Sequence, residues 1–165
     1  MSDCHAGGNA ELAPGTAPPS SRATTHRVVA IIGPPNAGKS TLFNRLTGLR
    51  QTVANFPGVT VEHRTGKAHL PGHHDIDLVD LPGVYSLNPR SEDERVSYKV
   101  LHGKMPGLKK PDAVILILDA TNLNRHLPLA ASILSLRLPT LVVLNMADDM
   151  RRRGGDVDIE ALANE

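Results

Sequence analysis

The feature that most restricts what this chain can fold into is the succession of three segments between residues 27 and 46. Arg27-Val-Val-Ala-Ile-Ile32 is a β-branched apolar run without polar alternation, the pattern of a parallel strand buried on both faces. Gly33-Pro-Pro-Asn-Ala-Gly-Lys-Ser40 follows at once and has the spacing G-x-x-x-x-G-K-S. A helix is expected next, from about Gly38 to Leu46. That spacing, after a strand and at the start of a helix, is a loop that cradles phosphate. Gly33 and Gly38 let the backbone close around phosphate oxygens, and Asn36, Ala37 and Thr41 belong to the same wrap. The free N–H groups and dipole of the helix start favour an anion. Lys39 is expected to reach the β- and γ-phosphates, and the Ser40 hydroxyl to serve Mg²⁺, a hard ion that prefers oxygen ligands.

At 165 residues the chain has room for one domain with a substantial core. Aromatics make up 2% of it, so that core must be aliphatic, which favours an α/β sandwich. Eighteen basic residues stand against seventeen acidic ones with no long single-sign block, so nucleic acid is not the expected partner. Cys4 is the sole cysteine and has no disulfide partner, which fits a reducing cytosolic setting. The longest apolar run, Ala113 to Leu118, falls far short of the roughly 20 residues of a membrane span. Residues 1 to 26 lack the features of a signal peptide, are rich in Gly, Ala, Pro, Ser and Thr, and are expected to be a disordered tail.

Further along, residues 49 to 60 show no period and are expected to be a long loop. Val61 to Leu70 reads as an edge strand, Pro71 to His74 as a hairpin turn and Asp75 to Leu81 as its antiparallel neighbour. Asp93 to His102 reads as a helix burying Val96, Val100 and Leu101. Ala113 to Asp119 reads as a strand, and Asn124 to Leu136 as a helix with Leu127, Ala130, Ala131 and Leu134 on its apolar side. Leu141 to Leu144 reads as another buried strand, and Asp156 to Asn164 as a helix capped by Asp158. The alternation implies an α/β fold, a doubly wound and mostly parallel sheet with one antiparallel edge strand.

Three more motifs fall where strands end. Asp80 closes an apolar strand before Leu-Pro-Gly83; the acid suits a water-mediated Mg²⁺ ligand, and the Gly83 N–H could meet a γ-phosphate. Asn145 and Asp148, flanking Met146, follow the last strand, and a carboxylate there accepts from both N1–H and the exocyclic amine of guanine, a donor pair adenine lacks. Thr60, after Gly58 and Val59, occupies the long loop where a hydroxyl and backbone N–H could clamp Mg²⁺ and γ-phosphate. Taken singly, Asp80 is also a turn residue, Asn145 and Asp148 are loop caps, and Thr60 is a strand starter. Their order after the phosphate loop points to a guanine nucleotide, GTP or GDP.

Gly33 to Asn44 (GPPNAGKSTLFN), Asn55 to Glu62 (NFPGVTVE), Asp80 to Leu87 (DLPGVYSL), Asp119 to Leu123 (DATNL) and Asn145 to Asp148 (NMAD) together resemble the translation-factor-related branch of the small GTPases. More closely, they resemble the cytosolic G domain of the ferrous iron transport protein B family, over about residues 27 to 165. The resemblance implies a Ras-like P-loop NTPase fold and slow GTP hydrolysis. It also implies a parent at the bacterial inner membrane, with this domain on the cytoplasmic face beside a helical regulatory domain and a transmembrane iron-transport domain. Against that pattern the chain is expected to stop before the last strand, helix and fifth guanine-contacting loop, leaving Leu141 to Leu144 nearer a sheet edge.

Val84 stands where Ras-type enzymes carry a water-orienting glutamine, and its side chain cannot hydrogen-bond a water. Related GTPases with an apolar residue there use K⁺ held by a P-loop asparagine, which implies Asn36 here. Lys39, Asn36, Thr60 and Gly83 are therefore the candidate catalytic groups. Two other readings stay open: a soluble GTPase of ribosome or tRNA maturation, and a nucleotide-binding remnant that does not hydrolyse. His63, His69, His73 and His74 lack metal-ligand spacing and read as surface histidines, and Arg151 to Arg153 as a solvated basic run on a loop.

Overall fold

The computed structural model describes residues 27–71 and 74–164. The tail expected over residues 1 to 26 and His73 in the hairpin turn lie outside the described residues. The chain runs β1 (Arg27–Ile32), α1 (Lys39–Thr47), β2 (Gln51–Asn55), β3 (Glu62–Leu70), β4 (His74–Asp80), α2 (Glu92–Leu101) and β5 (Ala113–Asp119). A 3₁₀ turn (Ala120–Asn122), α3 (Leu123–Leu134), β6 (Thr140–Asn145), α4 (Ala147–Arg152) and α5 (Ile159–Asn164) complete it. The strands form one mixed sheet in the order β2-β3-β4-β1-β5-β6.

β1 is central and pairs in parallel with β4 and β5, Ile31 lying opposite both Asp80 and Ile115. Alternate β1 side chains enter two cores, which explains the unbroken apolar run. Ala30 and Ile32 pack with Val79, Leu116, Val96 and Leu129 on one face. Val29 and Ile31 pack with Phe43 of α1, Leu78 and Ile117 on the other. This is the doubly wound arrangement expected from the alternation of strands and helices.

The antiparallel strand is β3, which pairs with β4 through Arg64 and Asp80. It is not itself the edge. β2, within the segment expected to be loop, pairs antiparallel outside it, Val53 opposite Arg64. All five β2 residues are exposed, so backbone pairing alone holds the strand, and no apolar alternation announced it.

α2 begins one residue earlier than expected, at a capping box. The Ser91 hydroxyl accepts from the Glu94 N–H at 3.2 Å while the Glu94 carboxylate accepts from the Ser91 N–H at 3.2 Å. Replacing Ser91 with Ala is expected to cost about 1 kcal/mol, read from the urea midpoint of unfolding.

Three expectations change. The buried stripe of α3 is His126, Leu129, Ala130 and Ile133, whereas Leu127 and Leu134 are exposed and so is Ala131. β6 is not buried: it is the outer strand of the sheet among the described residues, and Leu141 is 61% and Val142 37% exposed. Arg151 and Arg152 are not in a loop but end α4, a six-residue helix whose buried residue is Met150. α5 starts at Ile159, with the Asp158 carboxylate accepting from the Ala161 N–H at 2.9 Å as a cap.

Candidate nucleotide site

The carboxyl ends of β1, β4 and β6 point to the same side of the sheet, and the loops that follow them converge there. The loop after β1 enters α1 through Gly38, which has φ +95°. Asn36 also lies in the left-handed region at φ 62°, uncommon for a residue with a Cβ. The turn that results is closed by the Ala37 N–H donating to the Pro34 carbonyl at 3.4 Å. Ala37 is buried, while the side chains of Asn36, Ser40 and Thr41 are exposed.

Lys39 is almost fully buried and curls back over the loop, its Nζ donating to the Pro34 carbonyl at 2.9 Å. Burial holds its ammonium below the usual lysine range, with the Asp80 carboxylate pulling the other way. Asp80, at the end of β4, is as buried as Lys39. The Ser40 hydroxyl donates to Asp80 Oδ2 at 3.4 Å, and Asp80 Oδ1 is buried without a hydrogen-bond partner. Burial raises the Asp80 carboxyl above the usual range, partly offset by Lys39, Arg64 and Ser40. Each charge thus offsets only part of the cost of burying the other. Oxygen donors from Asp80 and Ser40, one of them an orphaned buried acceptor, are a donor set that fits Mg²⁺.

The turn after Asp80 is built onto the phosphate loop. The Leu81 N–H donates to the Ile31 carbonyl at 3.0 Å and the Val84 N–H to the Gly33 carbonyl at 3.2 Å. A Cβ on Gly83 would stand 2.9 Å from Pro35 Cα and 3.0 Å from Lys39 Nζ, so only glycine leaves room there. Val84 is 3% exposed and belongs to the core. Its side chain is spent on packing.

From β6, the Asn145 Nδ2 donates to the Ala37 carbonyl at 2.9 Å, across 108 residues of sequence. Asn145 thereby shapes the phosphate loop, a role its pairing with Asp148 in the sequence did not suggest. Met146 has φ 59° and turns the chain into α4, which sets Asp148 in the first turn of that helix with its carboxylate exposed. Left-handed backbone at a residue other than glycine is a form of strain that collects at functional sites.

Gly58, Val59 and Thr60 form a short turn between β2 and β3. The Phe56 N–H donates to the Val61 carbonyl at 2.9 Å and the Val59 N–H to the Phe56 carbonyl at 3.2 Å. Phe56 is buried in the core and stacks on His63 at 4.4 Å, while Thr60 is exposed. The structure therefore brings together Gly33, Ala37, Gly38, Lys39, Ser40, Asp80, Gly83 and Asn145, and leaves Thr60 on a surface turn. His69 pairs through Nδ1 with Asp75 Oδ1 at 2.6 Å on the hairpin. An open cavity of about 680 Å³ is lined by residues of β1, β2, β3 and β4 and by Leu108 and Lys109, and by none of the motif residues.

A mixed sheet with a phosphate loop after its central strand, and an acid and an asparagine motif at the ends of β4 and β6, defines a Ras-like P-loop domain. The family model described as ferrous iron transport protein B matches residues 27–165. The chain belongs to that family, rather than with the soluble GTPases of ribosome or tRNA maturation. The Fe(2+) transporter FeoB of Leptospira biflexa is 42% identical over 134 residues, which are 81% of this chain and 19% of that protein. Its counterpart in Legionella pneumophila strain Lens is 44% identical over 132 residues, 80% of this chain and 17% of that protein.

Among solved structures, the cytosolic domain of L. pneumophila FeoB superposes with a TM-score of 0.74 at 44% identity, covering 83% of this chain and 52% of that one. The G domain of T. maritima FeoB gives 0.72 at 37% identity, covering 84% and 81%. An S. thermophilus NFeoB mutant bound to mGDP gives 0.75 at 35% identity, covering 85% and 51%. The chain spans about a fifth of the length of the curated relatives it matches, 17% to 22%. Among the described residues, no helix is long and apolar enough to cross a membrane.

Proposed function

We propose that this domain binds GTP and GDP and slowly hydrolyses GTP to GDP and phosphate, as the nucleotide switch of a ferrous iron transporter. The observation that carries the reading is the buried pair of Lys39 and Asp80 with the exposed Ser40 hydroxyl beside it, a desolvated ammonium near a carboxylate with an orphaned oxygen. A phosphate chain with its cation would add a negative charge beside Lys39 and a positive one beside Asp80. In this reading Gly33 to Thr41 wraps the phosphates, Asp148 reads guanine, and Asn145 and Met146 fix the surrounding backbone. Ser40 and Asp80, joined by Thr60 when its turn reorganises, would hold Mg²⁺, which neutralises charge on the transferred phosphoryl group.

Lys39 contributes a second positive charge there, and the Gly83 N–H a donor to the γ-phosphate. Buried Val84 cannot orient a water, so unaided turnover is expected at about 10⁻⁴ to 10⁻³ per second, as for unassisted Ras-like enzymes. Asn36, exposed on its left-handed turn, is the residue that would hold K⁺ as a substitute positive charge. Phosphate release in equimolar KCl and NaCl is expected to differ about tenfold or more, and Asn36→Ala to erase the difference. Equal rates in the two salts would remove potassium from the scheme. Equal affinity for labelled GDP and ADP would remove the guanine reading altogether.

The parent in this reading lies in the bacterial inner membrane, with this domain on its cytoplasmic face. A helical regulatory domain and a transmembrane iron-transport domain would be its partners. The family match and relatives that are Fe(2+) transporters several times this chain's length support that assignment, and related structures in GDP-bound and GMPPNP forms support the nucleotide reading.

A further inference from the structure

The carboxylate assigned to guanine already has a suitor within its own helix. Asp148 lies in the first turn of α4 and Arg152 is its last residue, one turn on, and Arg152 Nη2 donates to Asp148 Oδ2 at 3.2 Å. The same nitrogen lies 3.8 Å from Asp149 Oδ1, while Arg153 pairs separately with Asp149 Oδ2 at 2.6 Å. Both members of the first pair face solvent, Arg152 being 72% and Asp148 80% exposed.

We infer that Arg152 is an intramolecular competitor of the guanine base, occupying Asp148 until nucleotide displaces it; this rests on Asp148 being the base reader. The argument is chemical. The N1–C2–N2 edge of guanine is itself a guanidine unit, with N–H groups on two nitrogens joined through one carbon. An arginine side chain offers the same fork, and a carboxylate that accepts one accepts the other. Reach is no obstacle, because residues four apart on a helix lie on one face. Arg152 therefore lowers the fraction of molecules whose Asp148 is free to receive the base, and apparent affinity falls by that fraction. An exposed pair at this spacing is weak, so the effect should be about two- to five-fold. The competition acts on the free protein, so it belongs in the association rate.

The test uses the 165-residue chain, fluorescent GDP and stopped-flow mixing, with Arg152→Gln compared against Arg153→Gln. The second variant removes the same charge from the same helix end but leaves Asp148 paired. Association is expected two- to five-fold faster in Arg152→Gln than in Arg153→Gln at low salt, with equal dissociation rates. The ratio should shrink toward one as salt rises to about 0.5 M. It should also vanish for xanthosine diphosphate when Asp148→Asn is added, since no carboxylate remains to contest.

A ratio of one at low salt overturns the competition. A slower Arg152→Gln also overturns it, because Arg152 would then be holding Asp148 ready for the base. If Asp148→Asn leaves GDP affinity unchanged, the base assignment itself falls and the competition falls with it. Weakened GDP binding in Asp148→Asn together with a flat ratio removes the competition alone.

Discussion

Asp148→Asn is expected to turn a guanosine site into a xanthosine site, with GDP affinity falling about 100-fold or more and xanthosine diphosphate gaining by a similar factor. A carboxylate has only acceptors to offer, and guanine presents two donors, N1–H and the 2-amino group, along one edge. Asparagine replaces one acceptor by an NH₂ that would face the 2-amino group, donor against donor. Xanthine has a carbonyl at that position, which accepts from the asparagine. Sites built on hydrogen-bond complementarity discriminate strongly because an unmatched polar group is left unpaired. Competition titration against a fluorescent GDP analogue reads both affinities. An unaltered GDP constant would move base recognition away from α4.

Gly33→Ala is expected to have the largest effect on folding, about 3 kcal/mol, by pressing β1 against β5. A Cβ at Gly33 would lie 2.1 Å from the Ile117 carbonyl oxygen and 3.1 Å from its carbon. Those are backbone atoms of a strand with both neighbours paired, so no rotamer change relieves the clash. The Gly33 carbonyl also accepts from the Val84 N–H, so a shift of the loop would carry the turn after Asp80 with it. Urea unfolding gives the stability, and labelled GDP the accompanying loss of binding. A midpoint within error of the unsubstituted chain would mean that β5 yields easily at Ile117.

The phosphate loop, β1 and α1 were legible in the residues because a strand period, a glycine-lysine spacing and a helix period meet at one place. Asp80 and Asn145 were legible by their position at strand ends. What escaped has particular causes. β2 offers only exposed Gln51, Thr52, Val53, Ala54 and Asn55, and pairing by backbone leaves no trace in side-chain pattern. On α3, helical spacing allows two adjacent stripes, and the one carrying Leu129 and Ile133 faces the core although Leu127 and Leu134 are as apolar.

β6 shows why an apolar run does not reveal burial: Leu141 to Leu144 would read the same with or without a strand outside it. α4 has too few residues for a period, and its ion pairs between Asp148, Asp149, Arg152 and Arg153 look in sequence like ordinary solvated charges. The bond from Asn145 to Ala37 joins residues so distant in the chain that no local feature could announce it.

That bond gives the sheet a mechanical property. The strand order places β5 between β1 and β6, so the Asn145 amide reaches past a whole strand to steady the loop that follows β1. A shift of β6, the outer strand among the described residues, would therefore reach the Ala37 carbonyl directly through the Asn145 amide. The rim of the sheet and the loop at its middle are thus coupled through one amide, without the strand between them having to move.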